Sequence, residues 1–168
     1  RKYEKTAMAE RSRMSDEVRL KRQDLAKNLE SAQQMNLPMQ SPQTRDMQKA
    51  FQNNQFEKAA EMARKMAEEA MQDGDQSSAG DKEQLARELE RMAEQLQKDQ
   101  PETAKAMEAA AQALQQAAQA QSQGNQDQMQ QALQNAQAAL GEMAEQLASH
   151  AEAAERMGQL DQLQQTLD

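Results

Sequence analysis

One histidine, a knot of acids between residues 73 and 81, and thirteen methionines are the side chains here whose types and spacing bear on chemistry. A di-iron helical bundle carries Glu-x-x-His, which sets two ligands on one helix face. His150 has Leu147 three residues before it and no second histidine to work with, so it reads as an exposed or seam-edge residue. Asp73, Asp75, Ser77 and Asp81 fall at positions 1, 3, 5 and 9 of a twelve-residue window, the order found in a calcium-binding hand. Such a loop needs glycine at its sixth position for a sharp turn and a bidentate glutamate at its twelfth. Ser78 and Gln84 stand there instead, so the segment reads as a plain acidic linker that binds no calcium.

Nucleophilic catalysis would need a serine or threonine beside a base, and the serines sit mostly in linkers. The five glycines are scattered and form no phosphate-binding loop. No catalytic, cofactor-binding or metal-ligating residue is therefore assigned, no cofactor is expected, and the chain is not expected to be an enzyme. Methionine can build a soft surface that adapts to varied partners. Most of these methionines recur at helical spacing with leucine and alanine, which points to seam packing.

The elements that carry these residues are helical. Valine occurs once, isoleucine and tryptophan never, and Tyr3, Phe51 and Phe56 are the only aromatics, so a pleated sheet has almost nothing to pack with. Alanine, glutamine, leucine, methionine, glutamate, lysine and arginine dominate, and all enter helices at little entropic cost. The fold class expected is all-α, built as elongated antiparallel helical hairpins of the coiled-coil or helix-bundle kind. A seam of that sort leaves no enclosed cavity.

Two equal runs, 81–123 and 126–168, flank Gly124-Asn125, and this symmetry predicts a long antiparallel hairpin turning at 124–125. Apolar residues recur at heptad-type spacing along both: Leu85, Leu89, Met92, Leu96, Met107, Ala111, Leu114, Ala118, then Met129, Leu133, Ala136, Leu140, Met143, Leu147, Ala154, Met157, Leu160, Leu163 and Leu167. A symmetric fold-back sets Met92 opposite Met157 and Leu89 opposite Leu160. Pro101 either opens a fresh helix or kinks a continuous one. Asp81 is the expected N-cap of the first run.

Upstream, a helix is predicted over 2–34, on a stripe of Tyr3, Ala7, Met14, Val18, Leu25, Leu29 and Ala32 that Glu10 and Lys21 interrupt. Pro38 and Pro42 end it within a linker at 35–43. A second helical stretch is predicted over 44–72, with Asn53-Asn54 as a potential break. Three regions result: an N-terminal helical pair over 1–72, a flexible linker over 73–80, and the long hairpin over 81–168.

Formal charge is −8, unevenly spread. Residues 1–34 carry nine Lys/Arg against six Asp/Glu, while the remainder carries eleven against twenty-two. An acidic body repels phosphates, so no nucleic acid partner is expected. The alternating signs of the first helix read as a solvated face. No cysteine is present, no apolar run reaches the ~18 residues a membrane span needs, and a membrane surface is a less favoured partner than protein. Arg1 in place of an initiating methionine suggests a piece of a longer protein.

From Leu85 to Leu147 the Ala/Gln ladder, the Pro101-Glu102-Thr103-Ala104 start and the Gln123-Gly124-Asn125 turn resemble Gln/Ala-rich coiled-coil regions of large bacterial cell-envelope proteins of unknown function. The resemblance implies a structural segment, in the bacterial cell envelope or the cytoplasm, and transfers no functional residue. The expected role is a structural or protein–protein interaction module, a helical spacer or assembly segment. Its partner would be protein, through self-association or the remainder of a longer chain. The competing reading is an amphipathic coat protein on a lipid or polymer granule.

Overall fold

The computed structural model describes residues 2–167 apart from Asp75, and describes Leu25, Ala26, Asn28 and Leu167 by backbone alone. Leu25 and Leu167 of the expected stripes, and Asp75 of the acidic loop, thus lie outside the described side chains. The protein is all-helical, with α1 (Lys2–Gln33), α2 (Pro42–Gln52), α3 (Phe56–Gln72), α4 (Ala79–Leu96), α5 (Pro101–Ser122) and α6 (Gln126–Leu167). No strand occurs among the described residues.

Local sequence accounts for the breaks. Pro42 occupies the first turn of α2, where its missing N–H is no loss. Asn54 adopts φ 56°, and Gln55 N–H donates to Ala50 O, so α2 ends in a left-handed C-terminal turn and α3 starts anew. The Asn53-Asn54 break is therefore real. Ser78 caps α4, its Oγ accepting from Asp81 N at 3.0 Å, so Asp81 lies within the first turn and is not the cap. Gly124, at φ 73°, supplies the left-handed residue between α5 and α6, and Asn125 Oδ1 accepts from Gln128 N.

The run 81–123 is not one helix. Pro101 forces Gln100 to φ −134°, ψ 69°, and the chain reverses between Leu96 and Pro101. α4 consequently packs against α5, α5 against α6 and α6 against α3, while no Cα of α4 comes within 8 Å of one in α6. This corrects the expected pairing of Met92 with Met157 and of Leu89 with Leu160: Met92 and Leu89 are fully buried, but on a helix that faces α5.

α3 runs antiparallel to α6, with the Phe56 ring against that of His150 at one end, tilted by 47°, and Gly74 against Leu133 at the other. No Cα of α3 comes within 8 Å of one in α4. The short α2 fills part of the space between them, inserting Met47, Ala50 and Phe51, which have almost no solvent exposure. One apolar cluster joins Leu29 and Ala32 of α1 through α2–α5 to Leu147 of α6. Alanines make much of it, including Ala59, Ala60, Ala63, Ala110, Ala117 and Ala120 across the two clusters. Such small residues let backbones approach closely, and the larger side chains supply most of the burial energy, about 1.5–3 kcal/mol each.

Candidate functional site

Three polar arrangements stand out, and each is built where two chain segments meet. The first is the acidic loop. Lys82, almost fully buried on the first turns of α4, directs its ammonium back into that loop. Its Nζ donates to Gly74 O (2.5 Å), Ser77 O (2.8 Å), Ser77 Oγ (2.8 Å) and Gln121 Oε1 (2.8 Å). Gln121 Nε2 donates in turn to Ser77 O at 3.0 Å, closing a ring between the α3–α4 connection and the end of α5. An ammonium thus sits among the oxygens of the segment that spacing alone compared with a calcium loop. Among the described residues no cluster of His, Cys, Asp or Glu is arranged to hold a metal ion.

The second is Glu88, which has no solvent exposure. Its carboxylate accepts from Gln40 N (2.5 Å), Ser41 N (3.1 Å), Thr44 Oγ1 (2.8 Å) and Gln84 Nε2 (3.2 Å). Ser41 makes no side-chain cap of its own and α2 has no acid in its first turn, so Glu88 caps α2 from another helix. Burial pushes its pKa up, but the donors from Gln40, Ser41 and Thr44 outweigh that and hold it at about 2. Sequence reading passed over Glu88 because a glutamate among polar neighbours on a helix reads as solvated. The available signal was Ser41-Pro42, a helix start whose backbone donors had no local acceptor.

The third is His150, partly buried, with its ring 5.9 Å from that of Phe56. Burial lowers its pKa, so it packs as a neutral ring.

Beside the Lys82 ring a cleft of about 550 Å³ opens where α2 stops short of filling the gap between α3 and α4. Leu114, Leu133 and Leu140 floor it, and Glu69, Asp73 and Asp81 stand on its walls. No enclosed cavity was expected, and this cleft is an open one that arises where α3 and α4 stand apart. Of the methionines, Met35, Met47, Met66, Met92, Met107, Met129, Met143 and Met157 are buried in packing positions.

Past His150, α6 continues alongside α1 in the opposite direction. Gln164 Nε2 donates to Ser15 Oγ at 2.8 Å, Arg22 pairs with Asp161, and Val18 and Met157 are buried. On the N-terminal side of Ser15 every described residue of α1 is exposed. Tyr3 is 91% exposed, Met8 69% and Leu20 55%, with Met14 and Leu163 also open. No helix among the described residues is long and apolar enough to cross a membrane. Comparison with known protein families, with curated proteins and with solved structures finds no match.

Proposed function

We propose that the chain is a structural, protein–protein interaction module, a helical spacer or assembly segment made of antiparallel helical hairpins. The bundle of α2–α6 is its fixed body, and the α1–α6 pair is the segment it offers to other protein. The observation that carries this reading is a contrast in polar and apolar satisfaction. Inside the body, Lys82 and Glu88 spend their charges on the chain's own hydrogen bonds, leaving little reactive capacity. On the α1–α6 pair, Tyr3, Met8, Met14, Leu20 and Leu163 remain uncovered. Uncovered apolar side chains offer area that a protein partner can bury.

The module reading includes a non-enzymatic role, and the use of the Lys82 and Glu88 charges within the chain supports it. The acidic balance of residues 35–168, eleven Lys/Arg against twenty-two Asp/Glu, supports protein over nucleic acid as the partner class. Adding anionic vesicles to the chain tests the reading against a surface coat. Unchanged helicity and no co-sedimentation is the expected result. Saturable vesicle binding with a change in helicity would replace the module by the coat.

A further inference from the structure

We infer that the cleft between α3 and α4 binds a small aliphatic amine, an ammonium head on an unbranched hydrocarbon chain; this inference is independent of the module reading. The cleft is polarised along its length. Because α6 runs antiparallel to α3, Leu133 lies at the Gly74 end, and Leu140, two turns further on, lies toward Met66. Asp73 and Asp81 stand at the end where α3 gives way to α4, with Glu69 one turn before Asp73. Along α3 the lining runs from Met66 to Asp73, about 10 Å at a rise of 1.5 Å per residue. Ala70 and Leu85 on its two walls are only partly buried, so apolar surface is open to an occupant.

Size, charge and floor together choose the occupant. Two turns of helix, about 10 Å across and 11 Å long, fill roughly 850 Å³. The cleft holds about 550 Å³, too little for such a segment and within the ordinary range of small-molecule sites. Three carboxylates line it, and Lys82 is the one basic side chain among the described residues that do. The Lys82 ammonium is turned to Gly74 O, Ser77 and Gln121 Oε1, so the walls favour a cation and repel a fatty carboxylate. The floor of Leu114, Leu133 and Leu140 selects the body. A polyamine, charged along its length, would lay an ammonium on these leucines with no partner for it. A single ammonium on a hydrocarbon tail suits both ends.

The test is a heteronuclear NMR titration of the full chain with butylammonium, hexylammonium and octylammonium chloride, and with octanoate as the control of opposite charge. Octylammonium is expected to shift the amides of Gly74, Ser77, Lys82 and Leu85 with a dissociation constant of about 1 mM or below. Each added methylene should tighten binding roughly three- to fourfold until the cleft is full. Octanoate should leave these amides unmoved. A variant with Glu69→Gln, Asp73→Asn and Asp81→Asn removes the charge and keeps the shape, at positions that are exposed or partly so. It should bind octylammonium about tenfold more weakly and lose the discrimination against octanoate. Ala70→Phe, which fills the cleft, should abolish the shifts; if the larger ring unfolds the chain, the carboxamide variant decides alone. Octanoate binding as tight as that of octylammonium overturns the inference, as does an affinity that fails to rise from butyl to octyl. Amide shifts confined to acidic faces away from the cleft, or full octylammonium binding by a folded Ala70→Phe chain, overturn it equally.

Discussion

Thr44 and Glu88 meet across 2.8 Å in the interior, the hydroxyl of one helix donating to the carboxylate of another, with both side chains shut off from solvent. This contact joins the start of α2 to the middle of α4, and with the Gln40 and Ser41 amides it makes one carboxylate the terminator of a helix forty-odd residues away. The geometry is that of a helix N-cap, supplied across the fold.

Acid should therefore weaken the protein through Glu88. Its folded pKa is about 2 against an ordinary value of 4.5, so the folded state holds fewer protons between those limits. The stabilisation is complete above pH 4.5 and is lost as pH falls through about 2. Glu88→Gln should remove on the order of 2–3 kcal/mol at neutral pH and flatten the acid limb of stability against pH. Urea melts between pH 2 and 7 would check both; an unchanged acid limb in the variant would assign the loss elsewhere.

Replacing Lys82 by methionine keeps the stem and deletes the ammonium. Gly74 O, Ser77 Oγ and Gln121 Oε1 would each lose a charged donor in a buried setting. The expected loss is about 2–4 kcal/mol, seen as a melting temperature lower by roughly 5–15 °C. Limited proteolysis should also begin cutting between residues 73 and 80, a segment the wild-type ring holds down.

Gly74 tests the close approach of α3 to α6. A Cβ there would press on Ala70 O, which is backbone and cannot turn aside, and on Leu133 Cδ1, which can. Gly74→Ala should destabilise by about 1–3 kcal/mol. Adding Leu133→Ala should fail to rescue it, because the carbonyl remains; rescue would show that the side chain was the whole obstacle.

His150 sets a separate, milder pH dependence. Its pKa lies below the ordinary 6.5 because burial disfavours the charged ring. Stability is unaffected above 6.5 and declines as pH falls below it, since the unfolded chain takes the proton more readily. His150→Leu should erase the decline between pH 7 and 5 while leaving the lower limb due to Glu88. Proton NMR titration of the ring should give a midpoint under 6.5.

How much of this was legible depends on whether the cause was local. The all-helical class followed from the residues themselves, since Val18 is the single β-branched aliphatic in the chain. Helix ends at Pro42 and Pro101 were legible as places, because a missing N–H acts on adjacent residues. Pro101 left the direction of the chain open, however: a kinked and a reversed helix share the same seam pattern, and the reversal moved Met92 from one partner to another. Glu88, Lys82 and the cleft were illegible for a different reason. Each depends on α2 entering between α3 and α4, and nothing in the spacing of Met47 and Phe51 says which pair of helices they will separate.

That intrusion of α2 also orders events in time. The α4–α5 and α5–α6 contacts close loops of a few residues and can form early, whereas α2 is seated by Glu88 and by the Gln48 carboxamide, which clasps both backbone groups of Leu37 at 2.8 and 3.0 Å. A segment so short, anchored by distant partners, docks onto a framework already assembled and is the first to leave it. Native-state hydrogen exchange should find the amides of α2 opening at a lower free energy than those of α5 and α6, as a detachable cooperative unit whose departure would lengthen the cleft along the whole space between α3 and α4.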